Sequence, residues 1–342
     1  MQRVLHSMPH RAFHREVEPN QRTMPFTPGG PMKRFGFSLA VLLLLGLASA
    51  QTLVYGVSGL PTSIDSVDSQ DGNSLVVSAA ITEPLVFFEP GTTTLTPRLA
   101  TSWEANDDAT VWTFTLREGV TFHDGTTFDA EAVKFNFDRW NLTDHPYAFR
   151  DQGKTYVPWG WVFGGPGADG GILDTVDVVD AYTVQFNLNS PMPFLPTLIA
   201  AIYFQIDSPA AVMAAGADYG TPSVGSVGTG PFQFVEWREG ELVRVQRFDG
   251  YWDGPAGVEE VVFRGIAEPT ARLAELQAGA IDIAVGLASD DLAIVEADDD
   301  LVVRTAETEL NVGYLAMHQA NSPFENPLVR QAVAHALDRE AI

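Results

Sequence analysis

The chain has 342 residues, with 20 Lys and Arg against 44 Asp and Glu, a formal charge of −24, no Cys, 45% apolar residues and 11% aromatic ones. That length and apolar share suit two or more folded units with sizeable cores, and the negative charge sets nucleic acid and anionic lipid aside as partners. Without Cys there is no disulfide framework, thiolate zinc site, iron–sulfur cluster or cysteine nucleophile.

In chain order, residues 1–31 hold three His, four Arg and several Pro without periodicity, and read as a non-native or disordered leader. Met32-Lys33-Arg34, an apolar run over 35–47 and Ala48-Ser49-Ala50 then form a basic n-region, a short h-region and a small-x-small cleavage site. A signal peptide over 32–50 is therefore expected, cleaved before Gln51, with Met32 as the true start. No Cys follows for a lipid anchor, so the product is expected to be periplasmic or extracytoplasmic and soluble. Residues 1–50 carry six Lys or Arg and two Asp or Glu, which leaves 14 bases against 42 acids, or −28, beyond them.

Residues 52–57 alternate as a strand does, and Ser58-Gly59-Leu60-Pro61 breaks the pattern. A short apolar run follows at 86–88 and a strongly alternating strand at 111–116. From Thr127 the period becomes helical, with Val133, Phe137 and Trp140 on one face and Asp129 or Thr127 available as N-cap. The Gly-, Pro- and aromatic-rich stretch 147–171 reads as a surface loop. A hairpin is expected through Asp180-Ala181, with Val184, Phe186 and Leu188 on one face, then short helices near 194–201 and 209–215. Beyond Gly228-Thr229-Gly230-Pro231 the runs 232–237 and 242–248 pair as strands, with a third at 261–264. From Thr270 helix and strand alternate: helices over 271–278 and 290–297, strands over 281–285 and 301–305. This predicts an α/β unit with its own small sheet. A strand over 312–317 leads to Asn326-Pro327, a good N-cap and first helical residue for a helix through 338. Since few elements come after residue 265, that unit is expected to be incomplete at Ile342.

The chemistry-bearing patterns are sparse. Gly165-Pro-Gly167-Ala-Asp-Gly170 fits G-x-G-x-x-G, but the segment after it reads as a strand and not the helix that would hold a pyrophosphate. No Walker sequence, G-x-S-x-G elbow or H-E-x-x-H helix occurs. His123, His145, His318 and His335 share no metal-ligand spacing, and Asp65, Asp68 and Asp71 match calcium spacing only loosely. The reading is a protein without catalytic residues, metal or cofactor. Ser58, Gly59 and Leu60 are candidate ligand contacts because ligands of such sheets lie beyond strand ends, and Trp159 and Trp161 are candidates for stacking.

Four blocks in order resemble the extracytoplasmic solute-binding proteins of peptide and nickel ABC transporters. The first joins Leu99-Ala-Thr-Ser-Trp103-Glu to Trp112-Thr-Phe114 and Phe122-His123-Asp124-Gly125. The second is Val227-Gly228-Thr229-Gly230-Pro231-Phe232, with Tyr251-Trp252 downstream. Leu276-Gln-Ala-Gly279-Ala-Ile281-Asp282 and Ser322-Pro323-Phe324 through Arg330-Gln331-Ala332 complete the order. Most of these residues suit turns and close backbone passage, and are expected to be architectural. Met317-His318 and Ser322 depart from the family's usual residues.

The resemblance implies an α/β, two-lobed venus-flytrap fold. Lobe I would have its main sheet in 51–84 and 171–263 and an extra subdomain in 85–170, with 264–342 beginning an incomplete lobe II. It implies a monomer that captures a peptide or other small solute and delivers it to an ABC permease with its ATPase. Nickel complexes and sugars remain alternative ligands. A secreted hydrolase and a non-transport receptor or scaffold remain alternative functions.

Overall fold

The computed structural model describes residues 51–165, 171–304 and 315–338. The expected leader and signal peptide, most of the Gly165–Gly170 motif and the first part of the strand expected over 312–317 lie outside them.

Strand β1 (Thr52–Val57) is followed by a long loop and helix α1 (Gly72–Ile81), which the Asp71 carboxylate caps by accepting from the Ser74 amide at 2.8 Å. Three short strands come next, β2 (Glu83–Pro84), β3 (Val86–Phe88) and β4 (Leu95–Pro97), then β5 (Ala100–Ala105) and β6 (Val111–Leu116). Helix α2 (Ala130–Asn141) starts at Asp129, which accepts from the Ala132 amide at 3.0 Å; loss of such a cap costs about 1 kcal/mol. Its face of Val133, Phe137 and Trp140 is fully buried, and Phe137 meets Phe186 edge to face at 4.7 Å.

The stretch expected to be a surface loop instead holds helix α3 (Val157–Phe163). Pro158 sits in its first turn, where its missing N–H has no helical partner to lose, and Trp159 and Phe163, one turn apart, stack at 4.0 Å. Their burial outweighs the local turn signals. Strands β7 (Leu173–Asp180) and β8 (Thr183–Leu188) form the expected hairpin, with Val184, Phe186 and Leu188 buried. The antiparallel order β5-β6-β8-β7 puts that hairpin in one sheet with β5 and β6, across the boundary expected at 170/171. The cause is the alternation of β6 and β8, whose Trp112, Phe114, Val184 and Phe186 bury one common face beneath α2.

Helix α4 (Leu195–Ile199), strand β9 (Gln205–Ile206), which pairs with β2, and helix α5 (Pro209–Ala215) lead to β10 (Phe232–Arg238), β11 (Leu242–Arg247) and β12 (Glu260–Gly265). Helix α6 (Pro269–Gln277), strand β13 (Ile283–Ala284), and helices α7 (Leu292–Glu296) and α8 (Pro327–Ala336) complete the described elements. The second sheet has the order β10-β11-β12-β1-β13, antiparallel as far as β12, then parallel through β1 to β13.

Two expectations are corrected by this topology. β13 does not open a sheet of its own; it adds to the free side of β1, where Gly56 lets it in, since a Cβ on Gly56 would lie 2.5 Å from the Ile281 side chain. Residues 301–304 form no strand, and Val302 stands 67% exposed with no strand paired to it among the described residues.

Candidate functional site

Strands β12, β1 and β13 run parallel, so their carboxyl ends open on one edge of the sheet. Three loops leave that edge: residues 58–60, 266–268 and 285–288. Ser58 is exposed, and its hydroxyl donates to the Asn73 side-chain oxygen at 3.3 Å in the first turn of α1. Gly59 faces the same Asn73, whose amide nitrogen would lie 3.0 Å from an added Cβ. Leu60 is half-buried, packs on the core of the five-stranded sheet and covers Gly265. Arg272 of α6, 1% exposed, donates to the carbonyls of Ile266, Ala267 and Gly286 and so fixes the other two loops to each other. The edge therefore carries loops tied down by Asn73 and Arg272, on the side of a parallel sheet where ligands lie.

The loop from β1 to α1 is anchored from below by a buried ionic cluster. Arg139 of α2 donates to both oxygens of Asp65 at 3.0 and 3.3 Å and to Asp207 at 3.2 Å. Lys154 reaches Asp68 at 3.0 Å and the Tyr219 carbonyl at 2.8 Å, and the Tyr219 hydroxyl donates to Asp207 at 2.8 Å. Burial and the Asp65 charge push Asp207 up to about 7 against the pull of Arg139. Burial also lifts Asp68, an effect only partly offset by Lys154. At Asp71 burial raises the carboxyl, but the hydroxyls and amide of Ser74, with Thr62 and Ser69, outweigh it and hold the group below its usual range. Asp65, Asp68 and Asp71 thus each have separate work. Among the described residues no group of three or more His, Cys, Asp or Glu is placed to hold a metal.

Parts of the first two sequence blocks meet at a junction between the two sheets. Gly228 and Gly230 press on the end of α1, where a Cβ on Gly228 would lie 2.3 Å from the Ile81 carbonyl oxygen. The His123 ring bridges them: Nε2 donates to the Gly230 carbonyl at 2.9 Å, and Nδ1 accepts from the Gly228 amide at 3.4 Å. Asp124 accepts from Ser208 and Thr126, and Gly125 turns the chain with φ 82°. Pro231 accepts from the Phe248 amide at 2.9 Å, and Phe232 packs on the core of the five-stranded sheet. Buried Glu83 collects four donors: Arg98 at 2.6 Å, and Tyr251, Thr229 and Trp252 each at 2.8 Å. Burial, then the Glu83 charge, pushes the Tyr251 hydroxyl well up from its ordinary value. Trp103 packs half-buried on the other core, and Arg330 donates to the carbonyls of Phe324 and Glu325 at the start of α8.

The structure does not bring the two tryptophans together with the strand-end loops. Trp159 is fully buried among Phe137, Trp140, Phe163 and Phe204, so the stacking considered for it has no surface from which to act. Trp161 is 61% exposed and meets Tyr203. Glu83, Arg98, Asn73 and Arg272 escaped the sequence reading, because each works through partners that no periodicity or motif spacing links to it.

The fold is shared with a solved periplasmic binding protein from Helicobacter pylori in complex with a peptide, with TM-score 0.73 and 28% identity over 85% of this chain and 57% of that one. The fold aligns with the solved dipeptide-binding protein of a Pseudoalteromonas species bound to Met-Leu, with TM-score 0.74 and 29% identity over 85% of this chain and 58% of that one. The chain belongs to the bacterial extracellular solute-binding proteins, family 5, whose model matches residues 94–342. It is 32% identical to the dipeptide-binding protein of Escherichia coli strain K12, covering 91% of this chain and 58% of the relative. A glutathione-binding protein of Pectobacterium atrosepticum is 29% identical, over 86% and 53%. The chain thus spans somewhat over half the length of these relatives.

Proposed function

We propose that this chain is the solute-binding component of an ABC importer, holding a peptide-like solute outside the cytoplasmic membrane for transfer to a permease driven by its ATPase. Family membership, together with relatives named for dipeptide and glutathione, carries the reading. The strand-end loops at Ser58 and Gly59, with Asn73 behind them, supply the contact surface on this chain. Capture is by hydrogen bonding and closure, and no covalent bond is made or broken. The expected signal peptide gives the route of export. Among the described residues no helix is long and apolar enough to cross a membrane.

Thermal unfolding of the purified chain with and without a dipeptide such as Met-Leu, glutathione, a nickel complex or a sugar tests this. Stabilisation by the peptides alone is expected, rising with ligand concentration as binding to the native state requires. Stabilisation by the sugar or nickel complex alone, or mass-spectrometric evidence of peptide cleavage, would overturn it.

A further inference from the structure

We propose that His123 is an acid-released latch that fastens the turn ahead of α2, on the four-stranded-sheet side, to the glycine passage that enters β10 of the five-stranded sheet. The tautomer is set by its partners. A carbonyl only accepts, so the Gly230 contact places the ring proton on Nε2; an amide only donates, so the Gly228 contact requires a lone pair on Nδ1. Both contacts together exist only for the neutral ring. A proton on Nδ1 would set N–H against N–H, and the passage has no slack to turn away, because Gly228 and Gly230 already lie against the Ile81 carbonyl.

The charged groups around the ring do not stabilise an imidazolium by direct contact. Asp124, the next residue, is engaged by the Ser208 and Thr126 hydroxyls. Across the passage, Glu83 is saturated by Arg98, Thr229, Tyr251 and Trp252. Phe248, whose ring meets the imidazole at 4.9 Å, is flanked by Arg247 and Asp249, which pair with each other at 2.7 Å. Helix α5 contributes its N-cap Ser208, and the end of α1 contributes Ile81 and Thr82. Burial lowers the His123 pKa, with the Gly230 carbonyl and Asp124 offsetting only part. The folded ring therefore binds its proton less readily than the unfolded one. The fastening is complete above the ordinary histidine value of about 6.5 and weakens as pH falls through the lower folded value.

The test is amide exchange across residues 226–231 in the full chain at about pH 7.5 and about pH 5, corrected for intrinsic exchange, in the native protein and in His123→Gln. Protection of this segment is expected to fall about ten-fold or more on acidification in the native protein and to change less than about two-fold in the variant, with α2 protected throughout. Nitrogen NMR of the native ring, which needs no variant to fold, is expected to show the Nε2–H tautomer at the higher pH and a titration midpoint at the acid end of the range over which protection is lost. Protection independent of pH, a loss equal in both proteins, or a midpoint unrelated to the ring titration would overturn the latch.

Discussion

Replacing Glu83 with Gln tests the junction where the two sheets meet. One carboxylate oxygen accepts from Arg98 and Tyr251 and the other from Thr229 and Trp252, all within 2.6–2.8 Å. An amide keeps one acceptor and turns an N–H2 toward two donors, and it leaves the Arg98 guanidinium without its buried counter-charge. Breaking a buried pair from one side costs about 3–5 kcal/mol. Arg98 is 29% exposed, so solvent screening moves the expectation toward the lower end of that range. At roughly 2–4 °C per kcal/mol, the variant should melt about 6–15 °C below the native chain in a thermal scan followed by circular dichroism. Arg98→Met provides the second arm, since it strands the carboxylate and should also destabilise. A Glu83→Gln shift under about 2 °C would show that the carboxylate is not holding the junction and would refute the reasoning.

Gly228→Ala forces a Cβ against backbone and should cost about 3 kcal/mol or more, whereas Gly72→Ala, in open space in the first turn of α1, should be neutral or stabilising by up to about 1 kcal/mol; urea unfolding of both distinguishes the cases. Trp159→Ala should lose about 3–5 kcal/mol and Trp161→Ala within about 0.5 kcal/mol, and equal losses would contradict the burial difference. Asp207, raised to about 7 in the fold, binds its proton more readily folded than unfolded, so its contribution grows as pH falls from about 7 toward about 4. Asp207→Asn should remove that component of the pH dependence of unfolding, and an unchanged slope between about pH 5 and about pH 7.5 would count against the assignment.

Local periodicity was enough to recognise much of the fold. Period-two alternation marked β6, β8, β10 and β11, and the 3.6 period with an Asp cap marked α2. Asn326-Pro327 announced α8, where Asn326 accepts from the Leu328 amide. The hidden part is non-local. Nothing in residues 281–285 says that they pair with Tyr55 and Gly56, and Pro158 and Gly160 masked a helix that only the packing of Trp159 and Phe163 justifies. The junction was half visible: Gly228-Thr229-Gly230-Pro231 read as a tight turn, but neither the bridging by His123 nor the gathering role of Glu83 has a local signature.

The place of β1 in its sheet also bears on how the chain folds. Its neighbours are β12 and β13, so the first strand to emerge pairs with nearly the last ones described, and Thr52 bonds Glu260 across 208 positions. Closing so long a loop is entropically slow, and topologies rich in such pairings fold late. During synthesis β1 has no partner strand until residues beyond 260 have been made. A chain of this topology therefore keeps both edges of β1 unpaired until the strands that flank it have been made.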